Sequence, residues 1–195
     1  MYDMGLWELL LLSVGLAMDA FAVSICKGLS AKELSAKKYL LCGIWFGSFQ
    51  TMMPLLGYLA GSNIEKLISL VAPWVAFILL SLIGGNMIRE ALSPEEEVSP
   101  DFDIRTMFMM AVATSIDALA VGVTFVAVPV QVLDSSPLAN TLFAAGVIGV
   151  ITFFISVAGV WIGRVFGDRF RSGSGILGGI ILILIGLRSL LKLFF

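Results

Sequence analysis

No histidine occurs in the 195-residue chain, so the commonest transition-metal ligand and the usual near-neutral acid–base group are both missing. Cysteine is nearly as scarce. Cys26 and Cys42 stand in or beside apolar stretches and read as small buried hydrophobes in a reduced setting, not as a disulfide. Six prolines and no low-complexity tract exclude a fibrous chain. Charge is the deepest deficit: 13% of residues are charged and 59% apolar, where a soluble domain has about 25% and roughly 45–50%. That excludes a soluble globular enzyme and a disordered chain. A net charge of −2 with no basic stripe gives nucleic acid nothing to bind. Asp3 and Glu8 supply no basic flank to the first apolar run, which therefore reads as a retained helix and not a cleaved signal. What the deficits leave is an all-α integral membrane protein.

Each charge at the bilayer centre costs about 2.5–3.5 kcal/mol on insertion scales, so runs without charge locate the spans. Residues 39–64, 67–88, 135–163 and 172–187 contain none. Residues 9–26 contain one, Asp19, and residues 106–133 contain one, Asp117. Six helices are predicted, at 6–26, 39–61, 70–92, 106–128, 139–163 and 175–194. Nine of the twelve Lys and Arg fall on one side: Lys27, Lys32, Lys37, Lys38, Arg89, Arg105, Arg164, Arg169 and Arg171. By the positive-inside rule this side is cytoplasmic and both termini are extracytoplasmic. The one long polar stretch, from Ser93 to Asp103, carries five carboxylates and reads as a solvated cytoplasmic linker, with a regulatory cation-attracting site as the alternative. The chain thus divides into residues 1–92, a linker at 93–105, and residues 106–195.

The two halves resemble each other. An offset of 98 places Asp19-Ala-Phe-Ala-Val23 on Asp117-Ala-Leu-Ala-Val121, and an offset of 102 places Gly47, Gly57 and Gly61 on Gly149, Gly159 and Gly163. One four-residue length difference between first and second helices accounts for the shift. Three helices is an odd number, so the second copy enters the membrane from the opposite side. Two inverted-topology three-helix repeats make a transporter architecture, expected to rock one repeat against the other about a midplane site. Asp19 and Asp117 lie about 20 and 17 Å into their predicted helices at 1.5 Å per residue, near the middle of a core about 30 Å thick. No Lys or Arg shares their depth, so a bound cation or protons must neutralise them. Gln50 precedes Pro54, and proline frees a backbone carbonyl one turn earlier, that of Gln50, as an oxygen ligand; a packed kink is the plainer reading. Thr114 and Asn86 add oxygens to the candidate metal ligands and Met18 a soft sulfur, although hydroxyls in membrane helices often bond back to their own backbone and methionine often only packs.

Met18-Asp-Ala-Phe-Ala-Val-Ser24, Phe46-Gly-x-x-Gln50-x-x-x-Pro54-Leu-x-Gly57 and Ala113-Thr-Ser-Ile-Asp117-Ala-Leu-Ala-Val-Gly122 resemble the MntP-type manganese efflux pumps, within the LysE-like exporter group. The resemblance spans essentially the whole chain. It implies a six-helix protein of a prokaryotic inner membrane that exports Mn²⁺, with Asp19 and Asp117 as the functional carboxylates and the metal as cargo, not cofactor. Some members of that family carry a carboxylate where this chain has Gln50. Carboxylate ligands bind a metal deprotonated, so Mn²⁺/H⁺ antiport is the expected mechanism. Two carboxylates do not select by ion, which keeps an exporter or channel for Fe²⁺, Cd²⁺ or Mg²⁺ open. An intramembrane aspartyl protease is a weaker alternative, since neither aspartate follows a Gly-x-Gly pattern.

Overall fold

The computed structural model describes residues 4–30, 35–61, 65–92, 102–169 and 174–191. Among them are six helices: α1 (Leu6–Ser30), α2 (Ala36–Ala60), α3 (Glu65–Leu92), α4 (Ile104–Ala127), α5 (Pro137–Arg169) and α6 (Ser174–Leu191). Most of the linker, residues 93–101, lies outside the described residues, as do Lys32, Arg171 and Lys192 of the charge count.

Local chemistry explains the boundaries. α4 begins at Ile104 because the Asp103 carboxylate accepts from Arg105 N at 3.1 Å, an N-cap. α5 begins at Pro137, where a missing N–H costs nothing, and Ser136 Oγ accepts from Ala139 N at 3.3 Å. α2 ends on Gly61, whose φ of +72° is open to glycine without penalty. α1 and α5 run past their predicted ends at 26 and 163. Charge limits the span but not the helix: the last turn of α1 contains Lys27, and Arg164 on α5 donates from Nη1 to Tyr39 OH at 3.2 Å. α1, α2, α4 and α5 are each long and apolar enough to cross a membrane, while α3 and α6 hold shorter apolar stretches at Pro73–Asn86 and Ile176–Arg188.

The helices of one half hardly touch one another. α1 packs on α5, α2 on α4 and α5, and α3 on α6, with smaller contacts of α3 with α4 and α1 with α6. Every extensive contact therefore joins the two halves, which are interlaced. Exchanging α1–α3 for α4–α6 converts α1–α5 into α4–α2, and α3–α4 into α6–α1, both of which occur. Small residues carry this packing. A Cβ on Gly57 would overlap Leu119 O, and one on Gly159 would stand 2.8 Å from Phe21 O; offsets of 102 and 98 turn the first contact into the second. Gly47 and Gly149 face each other, a Cβ on either meeting the other's carbonyl oxygen, at 2.9 and 2.7 Å. Five residues separate α1 from α2 and nine separate α4 from α5, so the α4–α5 connection supplies the four-residue difference.

Candidate functional site

The buried apolar side chains form two clusters with a polar seam between them. On α1 the first cluster holds Ala20, Val23 and Cys26 and the second holds Leu9 and Leu16. Asp19 falls between them. On α4 the first holds Met107, Met110 and Ala113 and the second Ala118 and Phe125, with Thr114, Ser115 and Asp117 between. α2 passes from Phe46 to Met53 across Gln50, and α5 from Ile148 to Val160 across Thr152 and Ser156. α2, α4 and α5 each place buried polar residues at this changeover, Gln50, Thr114 with Ser115, and Thr152 with Ser156, and α1 and α4 add the two half-buried aspartates.

Gln50 ties the seam together. It is fully buried, and its Nε2 donates to Thr114 O at 2.9 Å and Leu16 O at 3.4 Å. Leu16 and Thr114 correspond under the offset of 98, so one side chain from α2 reaches equivalent carbonyls of α1 and α4. Each aspartate follows its carbonyl by three residues, less than one helical turn. Cα–Cβ bonds tilt toward the helix N-terminus, and in both helices the carbonyl bonded by Gln50 lies on that side of the aspartate. The Asp117 Oδ1 also accepts from Ala118 N at 2.8 Å.

The hydroxyls mostly bond back to their own helices. Thr114 Oγ1 donates to Met110 O (3.0 Å), Ser115 Oγ to Ala111 O (2.6 Å) and Thr152 Oγ1 to Ile148 O (2.8 Å), which leaves Thr114 in the seam chiefly through its carbonyl. Among the described residues, Gln50 Oε1, Ser81 Oγ and Ser156 Oγ are buried oxygens with no hydrogen-bond partner. A buried amide oxygen that accepts from no donor is open to a cation, for which it is a suitable oxygen ligand. Replacement of Gln50 by Leu should therefore change thermal stability by less than about 1 kcal/mol, since the orphan oxygen is lost along with its two amide bonds. The same variant should still lower metal transport, and thermal unfolding in detergent beside vesicle flux separates the two effects.

Met18 and Asn86 are not brought into the seam. Met18 is 42% exposed on the stripe of Trp7, Leu11 and Val14, and Asn86 is exposed on α3. Cys26 and Cys42 are buried free thiols, with Ser24 Oγ 3.5 Å from Cys42 Sγ. Thr152 and Ser156 of the seam occupy the places of Gln50 and Pro54 at the offset of 102.

The family described as "Putative manganese efflux pump" matches residues 33–190. Three relatives carry the name "Putative manganese efflux pump MntP". One from Desulfitobacterium hafniense is 48% identical over 97% of this chain and 96% of its own length. One from Methanosphaera stadtmanae is 45% identical over 94% and 98%, and one from Acetivibrio thermocellus 48% identical over 94% and 89%. No solved structure matches.

Proposed function

The chain belongs to the MntP family of membrane transporters, and from that premise we propose that it exports Mn²⁺ from the cytoplasm through a site formed at Asp19, Asp117 and Gln50. One observation carries the reading: both aspartates lie in a polar seam with an apolar cluster on either side. An ion held there is separated from water in both directions, which is what alternating access needs of a binding site. Mn²⁺ favours carboxylate, carbonyl and water oxygens, and the seam offers two carboxylates and the Gln50 amide oxygen. Two carboxylates cancel the charge of a divalent ion, so the loaded site crosses low dielectric uncharged; the empty site takes up protons in exchange.

Six spans in two inverted repeats are the architecture we assign. The exchange-invariant packing and the matched contacts of Gly57 and Gly159 support it. The Lys and Arg count puts the Lys27 and Lys38 end in the cytoplasm of an inner membrane, with both termini outside. Interlacing bears on the motion. The helices of one half scarcely touch, α1 with α5 and α2 with α4 are pairs that the repeat relation exchanges, and α2 with α5, packed as extensively as α2 with α4, is a contact that this relation maps onto itself. We take the two exchanged pairs as the moving units, sliding where α2 meets α5. Gln50 fits this division, since its bond to Thr114 O stays within one pair and its longer bond to Leu16 O crosses to the other.

Flux into everted vesicles tests the proposal. Mn²⁺ uptake should saturate, accelerate when the lumen is acid, and fall to background when the pH gradient is collapsed. Uptake indifferent to the gradient would sink proton coupling, and uptake that does not saturate would indicate a channel.

A further inference from the structure

The two ends of the bundle are fastened by residues at corresponding places in the repeats. At one end Met4, just before α1, pairs with the α4–α5 connection: Met4 N donates to Pro129 O at 3.1 Å, and Gln131 N donates to Met4 O at 3.0 Å. Asn140, 2% exposed, holds that connection. Its Oδ1 accepts from Val132 N at 3.0 Å and Leu133 N at 2.8 Å, and its Nδ2 donates to Leu133 O at 3.0 Å. Beneath it Val130 and Phe125 close the second apolar cluster.

At the basic end, Phe102 stands just before α4, as Met4 stands before α1, at the offset of 98. Phe102 is 8% exposed, and the ammonium groups of Lys27 and Lys38 lie 5.8 and 5.5 Å from its ring centroid. Lys27 occupies the place of Phe125 at the offset of 98, and Lys38 the place of Asn140 at the offset of 102. The same three positions thus fasten both ends with different chemistry: hydrogen bonds and apolar contact at one, two cations on an aromatic face at the other.

Each fastening also spans the moving units. Met4 and Asn140 belong to the α1–α5 pair while Phe125 and Val130 belong to α4 and its connection; Lys27 belongs to α1 while Lys38 and Phe102 belong to α2 and α4. We propose that Met4, Phe125 and Asn140 form the gate at one end, that Lys27, Lys38 and Phe102 form its counterpart at the other, and that the balance between them sets which side the seam faces. The inference rests on the alternating-access reading above. In an inverted repeat the two open states are near images of each other, so positions that differ between the repeats decide their relative free energy. The basic gate holds two like charges against one ring.

Reporter cysteines test this in the full chain, reconstituted in liposomes after Cys26→Ala and Cys42→Ala. Ala22 and Ala120 are half-buried, correspond at the offset of 98, and follow Asp19 and Asp117 by three residues. Ala22→Cys should react with an impermeant maleimide from the basic side, and Ala120→Cys from the opposite side. Asn140→Ala should speed labelling of Ala120→Cys roughly tenfold, the population shift expected from one lost buried polar group, and slow that of Ala22→Cys. Phe102→Ala should do the reverse. Asn140→Asp and Lys38→Gln, which keep side-chain size, should give the same signs if the larger truncations do not fold. Both reporters moving together, or neither moving, overturns the gates. Labelling needs no metal, so opposite signs without Mn²⁺ flux would refute the substrate and leave the gates standing. Reporters that label from both sides at once in the parent would instead refute alternating access itself.

Discussion

Asp117→Asn and Asp19→Asn are each expected to cut Mn²⁺ export by at least about tenfold, since losing one charged ligand forfeits more than the 1.4 kcal/mol that a factor of ten requires. Each variant should meanwhile be as stable in the membrane as the parent, or more so. The opposed signs follow from the seam. A carboxylate at mid-depth costs about 2.5–3.5 kcal/mol on insertion scales, and both aspartates sit where two apolar clusters meet, so the amide removes a liability. Were either aspartate a clamp between helices, its amide would lower stability and transport together. The double variant should be little worse than either single one, because two ligands of one ion act as a unit. Manganese resistance and cellular manganese in an exporter-deficient strain, beside thermal unfolding in detergent, separate the two outcomes. Full resistance in either single variant would remove that aspartate from the site.

How far the sequence foretells this molecule depends on which forces write a local signal. Asp19 and Asp117 stand out because a charge amid apolar residues is costly wherever the chain folds, and the offsets of 98 and 102 are legible in Asp and Gly because few substitutes fit. The direction a side chain takes is less legible. Met18 adjoins Asp19 in sequence but sits about 100° around the helix, which turns it outward, and Asn86 was suggested by its amide with nothing to fix its face. Interlacing left no trace either. Two halves that look like consecutive units in the chain pack helix by helix across each other, so a rocking of whole repeats is natural from the sequence and awkward in the fold. Lys27, Lys38 and Phe102 look like loop and linker residues in the sequence; their meeting depends on α1, α2 and α4 having ends at one level, which no local pattern encodes.

The glycines that bring helices together should show the largest effects on stability, and they discriminate between packing within a moving pair and packing between pairs. A Cβ on Gly163 of α5 would overlap Ile25 O of α1 and stand 3.0 Å from Gly28 Cα, and one on Gly57 of α2 would overlap Leu119 O of α4. These neighbours are backbone and cannot swing aside. Gly163→Ala and Gly57→Ala should each cost about 3 kcal/mol or more, the upper range for overpacking, and leave little folded protein. Gly15 and Gly146 have nothing within 4 Å of a Cβ, and alanine there should stabilise by up to about 1 kcal/mol through helix propensity. Gly47 lies on the α2–α5 contact, where a Cβ would meet the backbone Gly149 O at 2.9 Å and the Phe153 Cβ at 3.1 Å, a smaller encroachment than the overlaps at Gly163 and Gly57. Gly47→Ala should therefore fold, with a loss of about 1 kcal/mol, yet transport more slowly because α2 and α5 must slide past each other there. Unfolding temperatures of the purified variants, set against vesicle flux per folded molecule, give the comparison. If Gly47→Ala loses stability but keeps its flux per molecule, the α2–α5 contact is static and the moving pairs have been drawn along the wrong line.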